Sequence, residues 1–176
     1  MFLDNNYTVI APYAHAAGRL FWDTNVPGCA TAWQTCPDSC FMAQIHQNIV
    51  DGTFGPVDEE NIFATGISSG GYMTSRMAEA YNDPNDPNEG IYRFNALAIM
   101  AGSWCTCIGG YCNVPVPRDL PSNHPPTLFL HGERDRTVPM DTAVEYYDNL
   151  IEAGFNASFI SNPDLGNFFF FFFFFF

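Results

Sequence analysis

Gly66-Ile67-Ser68-Ser69-Gly70-Gly71 decides how the rest of this chain is read. Ahead of it, Ile62-Phe63-Ala64-Thr65 is a short apolar run that predicts a buried strand. Behind it, Tyr72 to Tyr81 predicts a helix with Met73, Met77, Ala80 and Tyr81 near one face. A G-x-S-x-G turn between a strand and a helix is a nucleophile elbow. The turn is sharp, glycines stand on both sides where a side chain would clash, and the serine hydroxyl is pushed out above the sheet. Ser68 is therefore the candidate nucleophile, and the backbone N–H of Ser69, at the helix start, is the candidate oxyanion-hole donor. Ser69 is the weaker choice of nucleophile, because residue 67, two positions before it, is isoleucine and not glycine.

The pentapeptide alone is a weak signal, and its context strengthens it. Downstream, Thr127-Leu128-Phe129-Leu130-His131 predicts an apolar strand that runs into Gly132-Glu133-Arg134-Asp135. α/β-hydrolases order their triad as nucleophile, acid and histidine, each on a loop at the C-terminal end of a parallel strand. Ser68 and Asp135 fit the first two places. Along the chain the pattern predicts strand 7–12, a long aromatic and cysteine-bearing loop, helix 40–51, strand 62–65, helix 71–81, strand 94–99, strand 127–131, helix 141–153 and a strand near 157–160. That alternation predicts an α/β fold, a mostly parallel sheet with helices on both faces. The last helix is signposted by Asp141 as N-cap, by Val144, Tyr147, Leu150 and Ile151 on one side, and by Gly154 at its end. Residues 82–90, dense in Asn, Asp and Pro, read as an exposed loop.

A chain of 176 residues with 47% hydrophobic content is long enough for one domain with a real core. Nineteen acidic residues against six basic ones give a net charge of −13. That charge repels phosphate backbones and anionic membrane surfaces, which argues against nucleic-acid and membrane partners. The six cysteines fall in two loop clusters, Cys29/Cys36/Cys40 and Cys105/Cys107/Cys112. Neither has paired C-x-x-C spacing or a nearby histidine, so disulfides and an extracellular location are expected over a metal site. Cys107 and Cys112 could close a small loop, and the full pairing stays open. The N-terminus has no secretion-signal pattern, and the chain reads as if it begins just before a strand.

Gly66 to Ala78, Phe94 to Ile99 and Pro125 to Gly132 together resemble extracellular polyhydroxyalkanoate depolymerases of the medium-chain-length type. More broadly they are similar to the α/β-hydrolase branch that holds polyhydroxybutyrate depolymerases and feruloyl esterases. The resemblance covers most of residues 7–167. It implies a secreted serine esterase that cleaves a polyester or small ester through an acyl-enzyme on Ser68, with Asp135 as the acid and no metal or organic cofactor. Feruloyl or acetyl-sugar esters are the alternative substrates, and a non-catalytic binding protein on the same fold is the alternative class.

Two departures from the family pattern stand out. The loop that supplies the second oxyanion donor would precede residue 7, so it is not in this sequence. The catalytic histidine, which follows the last strand in the family, is replaced by Phe168 to Phe176. This phenylalanine tract is too short to span a bilayer and has no polar face, so it is read as a sequence artefact appended to a partial hydrolase domain, residues 1–167. Of the histidines present, His131 ends a strand four residues before Asp135, and His15, His46 and His124 are weaker substitutes. A chain without its base is expected to be inactive, and one lacking flanking strands and helices to aggregate. Phe21, Trp22, Trp33 and Trp104 could line a polymer groove, although aromatic residues more often serve as core.

Overall fold

The computed structural model describes residues 7–13, 21–25, 28–29, 32–82, 93–106 and 120–166. Helix α1 spans Pro37–Val50, strand β1 Ile62–Ile67, helix α2 Ser69–Asn82, strand β2 Phe94–Met100, strand β3 Thr127–Gly132, helix α3 Met140–Glu152 and strand β4 Ala157–Asn162. Short 3₁₀ turns occupy Asp23–Asn25 and Trp33–Thr35. The four strands pair in the order β1-β2-β3-β4, all parallel. Parallel pairing brings every strand's C-terminal end to one edge, where Ser68 follows β1 and Asp135 follows β3.

Side chains alternate across a strand, so Ala64, Leu97, Ile99, Phe129 and Phe159 share one face. Helix α2 packs on β1 and β2, and α3 packs on β3 and β4. Met73, Ala78, Ala80 and Tyr81 of α2 join Ala64, Leu97 and the α1 residues Met42, Ile45 and Ile49 in one core. Phe129 centres the other, stacked on Phe159 and edge-on to Tyr146. On the opposite face Phe63 and Ile160 are about half exposed, at 52% and 54%.

Several expectations are revised. Residues 7–13 form no strand. Tyr7 meets the β1 residue Phe63 ring to ring at 6.3 Å, so this segment lies beside β1 without joining its ladder. Helix α1 starts at Pro37 and not at residue 40, because a proline at the first turn forfeits no helical hydrogen bond. Asp141 is not the N-cap of α3. Pro139 holds that position, and Asp141 Oδ1 accepts the N–H of Thr142 at 3.0 Å inside the first turn. The buried stripe of α3 is Ala143, Tyr146 and Leu150, which leaves Ile151 46% exposed. Gly154 ends the helix as expected, with φ +84°.

Cys29 and Cys36 form a disulfide within the first cluster, and Cys40 and Cys105 carry free thiols. The Cys107–Cys112 loop, residues 83–90, His15 and the phenylalanine tract lie outside the described residues. Trp33 and Trp104 are buried core, at 3% and 4% exposure, and are not groove residues. Among the described residues no helix is long and apolar enough to cross a membrane.

Candidate active site

Ser68 stands between β1 and α2 with φ +52°, a left-handed conformation that costs an L-residue about 1 kcal/mol or more. Two backbone bonds hold it there. Its N–H donates to the Met100 carbonyl at 2.8 Å, and its carbonyl accepts the Tyr72 N–H at 3.1 Å. The residue is half-buried, and its hydroxyl makes no hydrogen bond among the described residues. Ser69 is the first residue of α2, so its N–H has no acceptor within the helix and lies where the helix dipole favours negative charge.

Glycines set this geometry, but not in the symmetric way the sequence pattern implies. A Cβ on Gly66 would lie 2.2 Å from the Gly70 carbonyl oxygen, and one on Gly71 would lie 3.1 Å from Gly102 Cα and the Met100 oxygen. A Cβ on Gly70 meets nothing within 4 Å. Gly66 and Gly71 are therefore the glycines that sterics require. Gly66→Ala is expected to cost roughly 3 kcal/mol, since backbone would have to yield to backbone. Gly70→Ala is expected to be neutral or to stabilise by up to about 1 kcal/mol through helix propensity. Urea unfolding of both variants checks this, and equal losses would defeat the steric account.

Asp135 lies on the turn after β3, and its N–H donates to the Gly132 carbonyl at 3.1 Å. Its Oδ1 accepts the N–H groups of Thr137 and Val138 at 2.8 and 2.9 Å. Its Oδ2 is buried and accepts no hydrogen bond among the described residues. A buried carboxylate oxygen with no donor is costly, so its retention points to a use. The loop after β4 is packed directly on this turn. The N–H of Arg134 donates to the Leu165 carbonyl at 3.0 Å, and a Cβ on Gly132 would lie 2.2 Å from that same oxygen. The chain at Leu165 and Gly166 thus passes beside the acid turn.

Ser68 and Asp135 follow strands separated by β2 alone, about 10 Å apart by strand spacing. A carboxylate, an imidazole and a hydroxyl joined by two hydrogen bonds span about 8 Å, which fits that gap. Tyr72, one helical turn beyond Ser68, has its hydroxyl pushed up to about 12 by burial and secondarily by the charge of Asp135, so it stays neutral.

Three histidines lie among the described residues, each in its own setting. His131 is buried, and its Nε2–H donates to the Val138 carbonyl at 2.9 Å while lying 3.6 Å from Asp135 Oδ2. Burial lowers its pKa against the opposing pull of Val138, Asp135 and Asp141. His46 lies on α1, lowered by partial burial with Glu59 opposing. In His124, Nδ1–H donates to the Pro125 carbonyl at 2.9 Å and Nε2 accepts the Tyr146 hydroxyl.

Burial pushes the pKa of His124 down to about 4. The folded protein holds this ring neutral, whereas the unfolded chain takes up a proton near the ordinary histidine value of 6.5. Nothing is lost above that value. As pH falls from there towards 4, folding stability should drop by roughly 3 kcal/mol from this residue alone. An NMR titration of the folded protein that put His124 near its ordinary value would remove the basis for this.

Two contributors were not legible in the sequence. Ala101 also has a left-handed backbone, φ +44°, at the end of β2, where its N–H donates to the Leu130 carbonyl at 2.9 Å. Only the neighbouring Gly102, pressed against Gly71, hints at it. The backbone N–H of Trp22 donates to Ser69 Oγ at 2.7 Å, a contact across 47 residues that no local pattern encodes. Among the described residues no group of His, Cys, Asp and Glu could hold a metal ion.

No protein-family model matches the sequence. The poly(3-hydroxyoctanoate) depolymerase of Pseudomonas fluorescens is 44% identical over 161 residues, 92% of this chain and 53% of that protein. The chain therefore spans about half the length of the curated relative it matches. Among solved structures, Arabidopsis thaliana SOBER1 aligns with a TM-score of 0.52 at 24% identity, over 73% of this chain and 53% of that one. A thermophilic esterase of the Planctomycetes species Thermogutta terrifontis gives 0.51 at 21%, over 73% and 52%. A thermostable esterase gives 0.53 at 20%, over 75% and 29%. With four parallel strands, an elbow after the first and a carboxylate after the third, the chain has the α/β-hydrolase fold.

Proposed function

We propose that the protein is a serine esterase with Ser68 as nucleophile, Asp135 as the acid of the triad and the Ser69 N–H in the oxyanion hole. The observation that carries this is the pairing, on one sheet edge, of a left-handed Ser68 with an Asp135 whose Oδ2 is buried and lacks a donor. In this reading Oδ2 accepts the Nδ1–H of an imidazole supplied from outside the described residues. The Ser68 proton passes to that imidazole as its oxygen attacks the ester carbonyl. The imidazolium then protonates the departing alcohol, leaving an acyl group on Ser68. Water attacks this ester by the same route and releases the carboxylic acid.

The substrate class we favour is a polyhydroxyalkanoate polyester, supported by the 44% identity to a poly(3-hydroxyoctanoate) depolymerase. Secretion is supported by the Cys29–Cys36 disulfide, a bond kept in oxidising compartments. Residues 1–167 are then part of the hydrolase domain, with the phenylalanine tract outside it. The test is fluorophosphonate labelling of the full-length protein, with the adduct mapped by mass spectrometry, beside parallel assays on an octanoate ester and a peptide amide. An adduct on the Ser68 peptide with faster ester cleavage is expected. A folded protein that takes no label, or that cleaves the amide faster, overturns the reading.

A further inference from the structure

We infer that the segment Phe21–Thr24 walls the acyl-binding side of this site, and that Trp22 with Phe21 selects long, uncharged acyl chains. The inference rests on the esterase reading and deepens it. The segment is built into the molecule at three consecutive residues. Trp22 N–H donates to Ser69 Oγ at 2.7 Å, which fixes its backbone beside the residue that follows the nucleophile. Asp23 N–H donates to Oδ2 of Asp38, a carboxylate 1% exposed on α1. Thr24 is fully buried, where its Oγ1 accepts from Arg76 Nε at 3.2 Å and its carbonyl from Nη2 at 3.4 Å. Arg76 is itself buried, paired with Glu79 and stacked over Trp33 at 5.5 Å.

A serine hydroxyl and two buried charged groups, on two helices, thus hold three successive residues of a segment that has no strand or long helix of its own. Such groups are expensive to bury, and here they fix a backbone from which Trp22 packs on the edge of the core while Phe21 stays partly exposed. Trp22 is half-buried and stacks on Phe41 at 6.4 Å, and Phe21 is 42% exposed. A rigid, uncharged aromatic surface beside a reacting carbonyl takes methylene groups out of water, worth about fourfold in binding per methylene.

The experiment compares kcat/KM for nitrophenyl octanoate and acetate in the full-length protein and in Trp22→Ala and Trp22→Phe. In Trp22→Ala the octanoate-to-acetate ratio should fall at least about tenfold, chiefly through KM for octanoate, and Trp22→Phe should recover most of it. Phe21→Ala, at a side chain 42% exposed, should move the ratio the same way by at least about threefold. An unchanged ratio in both alanine variants, or equal losses on the two esters, overturns the inference. Were the wild type to cleave neither ester, the esterase reading would fail instead. Calorimetric titration with octanoate would then decide, since weaker binding in Trp22→Ala supports the wall and equal binding overturns it.

Discussion

Ser68→Ala is expected to abolish fluorophosphonate labelling and to lower kcat/KM on a medium-chain ester on the order of a million-fold. The size follows from the role. Without the hydroxyl there is no acyl-enzyme, and what remains is the smaller contribution of binding and oxyanion stabilisation. Folding should survive, because both bonds that fix residue 68 are made by its backbone, to Met100 and Tyr72. Ser68→Gly gives a sharper control. It should be as inactive as the alanine variant yet more stable by about 1 kcal/mol, since glycine adopts φ +52° without strain. A loss of stability in Ser68→Gly would show that the serine is not strained, and residual labelling in either variant would move the nucleophile elsewhere.

Asp135→Asn should lower kcat by roughly ten-thousand-fold while leaving the fold intact. The amide oxygen can still accept the N–H groups of Thr137 and Val138, so the turn after β3 keeps its shape. What changes is the other position. The buried, donor-free Oδ2 becomes an NH₂ group, which offers an imidazole a donor where it needs an acceptor and so favours the wrong tautomer. Replacing a buried charge by a neutral amide should not lower stability. Steady-state kinetics with a urea unfolding curve separates these effects, and an active Asp135→Asn enzyme would remove Asp135 from the triad.

The elbow, the acid turn and the strand–helix alternation were legible because each is written locally. Gly66 must be glycine where its strand meets α2, the run 127–131 is apolar on both faces, and Gly154 ends a helix. Other features depend on distant partners and left no local mark. Residues 7–12 have strand-like composition, yet a strand exists only when a neighbour accepts its ladder. The expected face of α3 holds at Leu150 and at Tyr147, which packs on Phe129 and Phe159, while Ala143 and Tyr146 are buried more deeply than Val144 and Ile151. The Cys29–Cys36 bond is one of many pairings the spacing allowed. The tether from Trp22 to Ser69 joins two segments with no shared pattern.

Three close backbone contacts frame Ser68 and Asp135: Gly66 against Gly70, Gly71 against Gly102, and Gly132 against Leu165. Main chain cannot drift by substitution as side chains do, so descendants of this sequence can change most helix surfaces without moving Ser68 or Asp135. The Phe21–Thr24 segment touches that frame through a few side-chain bonds. Under the roles proposed above, inheritance of the reaction and divergence in what is bound can therefore proceed separately, with change falling on the Phe21–Thr24 segment while the glycines stay fixed.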